Sequence, residues 1–280
     1  MKRRIIRRVR RRIDAGSVDA GSIDREQTNG LIIVNNDIFN KFNPSMLHLG
    51  DINTPCQEKE AVAAVFDLSG FTNFCNQVDA YLAIPSFLNS FYDWFFNSII
   101  YGLTDEDGDT TQYWAELPTM VKFLGDGLLV VWDAHRMNDE QMCRLAATLY
   151  NICNAYQQDF YPQIKMVVNK PPSVLRCGMA RGKVFSIGNG SDYIGHCINN
   201  ASRLSNLAPL TFCFPRRGFL IQEYLSPQYV QLFVPKYISI RGVGNDELIW
   251  VVKEEFYKLT EKQKLQFRSV ENEMVKAVAA

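Results

Sequence analysis

Hydrophobic and polar positions along this chain follow two periods, and the switches between them mark its elements. AVAAVFDLSG (61–70) is an unbroken apolar run closing on Asp and Gly, which predicts a buried strand. FTNFCNQVD follows, with Ser69 or Thr72 placed to cap a short helix. After Pro85, SFLNSFYDWFFNSIIY (86–101) is apolar over a broad helical face. DEDGD (105–109) reads as an exposed acidic loop, since no EF-hand spacing follows it. TMVKFLGDGLLVVWD (119–133) is two strand-like runs about Gly-Asp-Gly, a hairpin signature. Residues 138–160 have helical spacing. VLRCGMARGKVFSIG (174–188) reads as a second hairpin turning at Arg181-Gly182, and GHCINNASRLSNLA (195–208) as a helix beginning beside a glycine. TFCFPRRGFLIQEYL and YVQLFVPKYISIRGVGNDELIWVVK carry the last strands and a short helix, and 260–279 predicts a terminal helix. No internal repeat is visible. The mixture is α+β or α/β, with hairpins that imply mainly antiparallel pairing.

Composition narrows the classes. At 280 residues, 47% hydrophobic and 21% charged, the chain has the profile of a soluble globular protein with a sizeable core. No apolar run approaches the ~20 residues needed to cross a bilayer, and no secretory signal is visible, so a cytoplasmic location is expected. The seven cysteines (56, 75, 143, 153, 177, 197 and 213) are odd in number and form no CxxC pair. That pattern fits reduced thiols and disfavours a disulfide framework or a structural zinc site. The three histidines lie far apart, which disfavours a histidine metal site. The net charge of zero hides an asymmetry. Residues 1–13 hold eight Lys/Arg and no acid, leaving 22 basic and 30 acidic side chains over 14–280, a net of −8. A nucleic-acid-binding body is therefore disfavoured. In the arm, Ile5, Ile6, Val9 and Ile13 would share one helical stripe amid arginines. Such a helix can lie on the acidic body or touch anionic lipid, nucleic acid or a partner, and the arm is assigned no function. DAGSVDAGS (14–22) reads as a flexible linker. The expected organisation is an arm and linker over 1–22, a catalytic domain over 23–258 and a C-terminal helix over 259–280.

Two carboxylates carry the chemistry. Asp67 ends an apolar strand and Asp126 lies within Gly-Asp-Gly. A charge in such a place must be solvated, paired or bound to metal, and glycine beside it lets backbone approach a ligand. Two such carboxylates can clamp paired divalent ions ~3.5–4 Å apart, the arrangement that serves phosphoryl transfer. Either aspartate alone is an ordinary turn residue.

FDLSGFTNF, KFLGDGLLVVW, CGMARGKVFSIG, YIGHCINNASRL and IRGVGNDELIW, in that order, resemble the class III nucleotidyl cyclases over roughly residues 60–255. The resemblance implies an α+β, ferredoxin-like palm: a mostly antiparallel central sheet flanked by helices, working as a head-to-tail homodimer. It implies that Asp67 and Asp126 bind two ions of Mn²⁺ or Mg²⁺, with the Leu68 carbonyl as a backbone contact. Asn199 and Arg203 match the family's Asn-x-x-x-Arg pair, whose i,i+4 spacing puts both on one helix face. By that match Asn199 faces the ribose and Arg203 the phosphates. Arg241 falls where the family holds the terminal phosphates, and Lys122 and Asp192 match the base-reading positions. The implied reaction is attack of the ribose 3′-OH on the α-phosphate, releasing pyrophosphate. One chain supplies the metal aspartates, and the other Lys122, Asp192, Asn199, Arg203 and Arg241.

An Asp accepts from an exocyclic amine and a Lys donates to a ring nitrogen, so Lys122 with Asp192 permits ATP or CTP and disfavours GTP; UTP needs a flipped contact or a water. FDLSGFTNFCNQVD and FLGDGLLVVWD are most similar to the bacterial Pycsar pyrimidine cyclases. That resemblance, with the lone cyclase domain, implies cyclic CMP or cyclic UMP made on phage infection, activating a separately encoded effector and killing the cell. Tyr193, Phe66 or Phe123 could narrow the pocket for a smaller base. The alternatives are an adenylate cyclase making cyclic AMP and an inactive nucleotide-binding regulatory domain. A polymerase-like palm shares the two-carboxylate logic, but the Asn199/Arg203 helix speaks against it, and no GGDEF-like turn supports diguanylate synthesis.

Overall fold

The computed structural model describes residues 26–28, 31–33, 53–107 and 110–270. The predicted basic arm helix and its linker lie outside the described residues. Of the described residues, two compact units separate: the first includes 26–28, 31–33, 53–56 and 187–192, and the second 57–107, 110–186 and 193–270. Within the first, β1 (Glu26–Thr28) and β2 (Leu31–Ile33) pair as an antiparallel ribbon.

The second unit is built on a central sheet. Its long strand β3 (Glu58–Ser69) pairs antiparallel with β7 (Gly127–Asp133) on one side and β8 (Val174–Ile187) on the other. β6 (Met120–Phe123) closes the β7 edge as the predicted hairpin. Beyond β8 lie β10 (Phe212–Pro215), β12 (Gly244–Val252), β11 (Phe233–Ile240) and β13 (Phe267–Ser269). Only the β8–β10 pair in this row is parallel, so the sheet is mostly antiparallel, as expected. A short strand β9 (Asp192–Gly195) precedes the helix that starts at His196.

Strand parity gives the sheet two different faces. Val62, Ala64, Phe66, Leu128, Val130, Trp132, Leu175, Cys177 and Met179 point into the larger core. That core is covered by α1 (Phe71–Cys75), α2 (Ala80–Gly102) and α3 (Asp139–Ala155), which continues through one π-helical turn (Tyr156–Phe160) into α4 (Tyr161–Ile164). Its filling is aromatic: Phe66 meets Phe95 edge-on at 4.8 Å, and Phe87, Phe91, Tyr156 and Phe160 interlock behind them. The other face presents small residues, Ala61, Ala63, Gly178 and Ala180, and carries α5 (His196–Ser205) through Cys197 and Ala201. A side chain at position 178 would collide with the Ala201 carbonyl and the Ser205 amide, so α5 lies directly on that strand.

Several expected boundaries move. β8 is one continuous fourteen-residue strand and does not turn at Arg181-Gly182, because pairing with β3 runs unbroken from Val174 to Phe185. α2 starts at Ala80 and takes Pro85 inside it. The carbonyl of exposed Tyr81, left without a donor by the proline, can be satisfied by water. α1 has Gly70 as its N-cap rather than Ser69 or Thr72, and no side chain caps it. The acidic run is half of a hairpin, β4 (Thr104–Asp107) against β5 (Thr110–Tyr113). After the short helices α6 (Ile221–Tyr224), α7 (Pro227–Val230) and α8 (Lys253–Lys258), the expected C-terminal helix over 259–280 is only α9 (Glu261–Lys264) among the described residues. The chain then enters β13, and residues 271–280 lie outside the described residues.

Replacing Phe95 by Ala removes a fully buried ring from the centre of the aromatic core. Urea denaturation should show a loss of about 3–5 kcal/mol.

Candidate functional site

The turn between β6 and β7 sets the site. Gly125 has φ +73°, which an L side chain rarely adopts, and the turn folds Asp126 back beside the end of β3. There the Leu68 N–H donates to the Asp126 carbonyl at 3.4 Å, and Asp67 stands opposite Gly127 in the register. The two acidic residues are therefore neighbours at one end of adjacent strands. Both are half-buried, and Leu68 anchors the strand end with its side chain in the core.

Asp67 has a partner that sequence reasoning missed. Arg176 lies opposite it on β8, donating from Nε to Asp67 Oδ2 at 3.0 Å and from its Nη2 to the same oxygen. The side chains are only 20% and 15% exposed, so this is a largely desolvated ion pair. The signal for Arg176 was a lone charge inside an apolar strand, but its partner lies 109 positions away and only the β3–β8 register joins them. Cys75, at the end of α1, faces the same place: burial chiefly, and the Asp126 charge second, push its thiol up.

Parity sorts the remaining candidates. Asp67 and Arg176 are in step with Ala63, Val65, Gly178 and Ala180, so they project on the α5 face. Lys122 is in step with Met120 and joins them there, exposed, on edge strand β6. Phe66 points the other way into the aromatic core, and Phe123 packs at a tilt against Tyr92 of α2, ring centres 4.8 Å apart. Neither narrows a nucleotide pocket on the α5 face, which corrects that expectation. Tyr193 is buried on the α5 side. Asp192 opens β9, half-buried.

On α5, Cys197, Ala201 and Leu204 face the sheet, which turns His196, Asn199 and Arg203 outward along one stripe. Arg203 reaches the turn between β11 and β12: its guanidinium lies against Gly242, next to the exposed Arg241.

Asp67 sits level with Arg176 near the start of β8, whereas Gly195, at the head of α5, abuts the Lys183 carbonyl; a Cβ there would lie 2.5 Å from it. Seven residues of strand at ~3.3 Å each put the head of α5 ~23 Å from the Asp67 level, while its other end, with Ala201 and Ser205 against Gly178, lies two residues, ~7 Å, from it. His196 and the Gly242 turn belong to the far level.

The donor set at the first level fits a hard divalent cation. Two carboxylates and a strand-end carbonyl are oxygen ligands of the kind Mg²⁺ and Mn²⁺ prefer. Among the described residues no cluster of three or more His, Cys, Asp or Glu is placed to hold a metal, so a cation here would draw further ligands from a bound phosphate. Among those residues, too, no helix is long and apolar enough to cross a membrane.

No family model matches the sequence, and no curated protein matches it. Solved structures do match in fold. The guanylyl cyclase Cya2 superposes with a TM-score of 0.52 at 16% identity, over 70% of this chain and 93% of that one. The adenylyl cyclase CyaB from P. aeruginosa gives 0.52 at 17% identity, over 71% and 95%. The catalytic core of a rhodopsin-guanylyl cyclase with converted specificity, in complex with ATPalphaS, gives 0.50 at 16% identity, over 71% and 98%. The chain thus has the α+β fold of adenylyl and guanylyl cyclase catalytic domains.

Arg176→Met should cost about 1–3 kcal/mol in urea denaturation, because it strands a half-buried carboxylate beside a second one. In an Asp67→Asn background the same change should cost under about 1 kcal/mol, and equal costs in both backgrounds would mean the pair contributes nothing.

Proposed function

We propose that this chain is a nucleotidyl cyclase. It closes a nucleoside triphosphate to the 3′,5′-cyclic monophosphate and releases pyrophosphate. The observation that carries the reading is the juxtaposition of Asp67 and Asp126 on a cyclase fold, with outward-facing Asn199 and Arg203 on the helix laid across the same sheet face.

Asp67 and Asp126, with the Leu68 carbonyl, would hold divalent ions, Mn²⁺ or Mg²⁺, which supply charge neutralisation at the triphosphate and lower the pKa of the ribose hydroxyl. Arg176 fixes the Asp67 carboxylate and adds a cation beside the place where phosphate charge would fall. Asn199 orients the ribose, while Arg203 and Arg241 offset negative charge growing on the phosphates as the 3′-oxygen attacks phosphorus. In the head-to-tail homodimer that the resemblance implies, each of two sites takes its aspartates from one copy and Lys122, Asp192, Asn199, Arg203 and Arg241 from the other.

The substrate we favour is a pyrimidine triphosphate, CTP ahead of UTP. Lys122 shares the α5 face of the sheet with Asp67, and with Asp192 it would match the N3 and N4 of cytosine. The same pair matches the N1 and N6 of adenine, so an adenylate cyclase is the second reading. The likeness of FDLSGFTNFCNQVD and FLGDGLLVVWD to the Pycsar cyclases supports the pyrimidine reading. It also supports a role as the second-messenger enzyme of an anti-phage system, acting through a separate cyclic-nucleotide-responsive effector. All seven cysteines are unpaired, which supports a reducing compartment such as the cytoplasm.

Purified protein incubated with each of the four triphosphates and Mn²⁺ should yield cyclic CMP or cyclic UMP by mass spectrometry. Cyclic AMP alone would end the pyrimidine reading, and no cyclic product from any of them would end the cyclase reading. Asp67→Ala and Arg203→Ala should each lower turnover by about 10²–10³-fold. Mixing Asp67→Ala/Asp126→Ala protein with Asn199→Ala/Arg203→Ala protein should restore about a quarter of wild-type activity, the statistical yield of intact sites from random pairing. No recovery on mixing would contradict the shared site.

A further inference from the structure

The turn that presents Arg241 is fastened to the helix that presents Arg203 at two points. His196 Nε2 lies 3.2 Å from the Gly242 carbonyl, where an N–H on that ring nitrogen donates to the oxygen. The Arg203 guanidinium covers the α-carbon of the same residue; a Cβ at 242 would stand 3.2 Å from Nη1 and 3.4 Å from Nη2. Gly242 also has φ +72°, so the turn takes this shape without strain only because the residue is glycine. Within the turn, the Val243 N–H donates to the Ile240 carbonyl at 2.9 Å.

His196 is exposed, one residue past the glycine that opens α5, and belongs to none of the buried clusters. Seven residues separate it from Arg203, two helical turns along one stripe. Its imidazole therefore contributes little to the core, and its one described contact is with the arginine-bearing turn. Removing that contact would leave the turn's α5 side held by the flexible Arg203 side chain alone, while its other side keeps the β11–β12 pairing and the Arg268 contacts to Asn245 and Asp246.

We propose that His196 is a positioning residue that clamps the Arg241–Gly242 turn onto α5, so that Arg203 and Arg241 are presented together to a triphosphate. The inference rests on the cyclase reading for what the two arginines bind, while the clamp itself can be tested without turnover. A neutral hydrogen bond of this kind is worth a factor of about 2–10 in an equilibrium. Losing it shifts the turn towards conformations in which Arg241 no longer shares the phosphate region with Arg203.

The variants are His196→Leu, which keeps bulk and removes the donor, and His196→Gln, which returns an N–H at similar reach. Amide hydrogen exchange over residues 240–244 of the nucleotide-free protein is the first readout, with Val243 as the reporting amide. In His196→Leu it should quicken by about 2–10-fold while Tm stays within a few degrees; in His196→Gln it should stay close to wild type. With the triphosphate that is cyclised, KM should rise by about 3–10-fold in His196→Leu with kcat changed less, and His196→Gln should restore it. Unchanged exchange and KM in His196→Leu would overturn the clamp, as would His196→Gln behaving like His196→Leu. If wild-type protein cyclises no triphosphate, the functional reading falls, and the exchange comparison still decides the clamp.

Discussion

Two carboxylates placed side by side at the end of a sheet repel each other, and each would rather face water. Here that arrangement is held in place by covalent and steric means. The β6–β7 turn delivers Asp126 to the end of β3, and the β3–β8 register puts Arg176 opposite Asp67. The guanidinium binds one Asp67 oxygen through two nitrogens in a setting with little solvent, so the pair keeps its geometry without a bound cation.

The rest of the architecture follows from giving the sheet two unlike faces. Large aromatics fill one side, so α2 and α3 stand off it on a thick, rigid core. Alanine and glycine line the other, so α5 can lie almost on the strands and still hold Asn199 and Arg203 outward.

Much of this is legible in the sequence where the determinant is local. The apolar run into Asp67, the glycines around Asp126 and the i,i+4 spacing of Asn199 and Arg203 each specify their own surroundings. What escapes is whatever depends on pairing across the chain. Arg181-Gly182 has the composition of a turn, but two flanking partners for β8 hold it straight. Arg176 looks like a strand charge of no account until β3 is laid beside it. His196 looks like an ordinary surface residue until the β11–β12 turn arrives from 46 positions downstream. Phe66 and Phe123 look able to line a pocket, and only strand parity shows that they face away from it.

The account depends on Asp67 and Asp126 acting as one cation site that serves a triphosphate. The most direct test is electron paramagnetic resonance of Mn²⁺ titrated into the protein with a non-cyclisable CTP analogue, comparing wild type with Asp67→Asn and Asp126→Asn. The account predicts nucleotide-dependent Mn²⁺ binding in the wild type that weakens by at least about tenfold in each variant. Binding that is unchanged by either substitution, or that never requires both carboxylates, would contradict it.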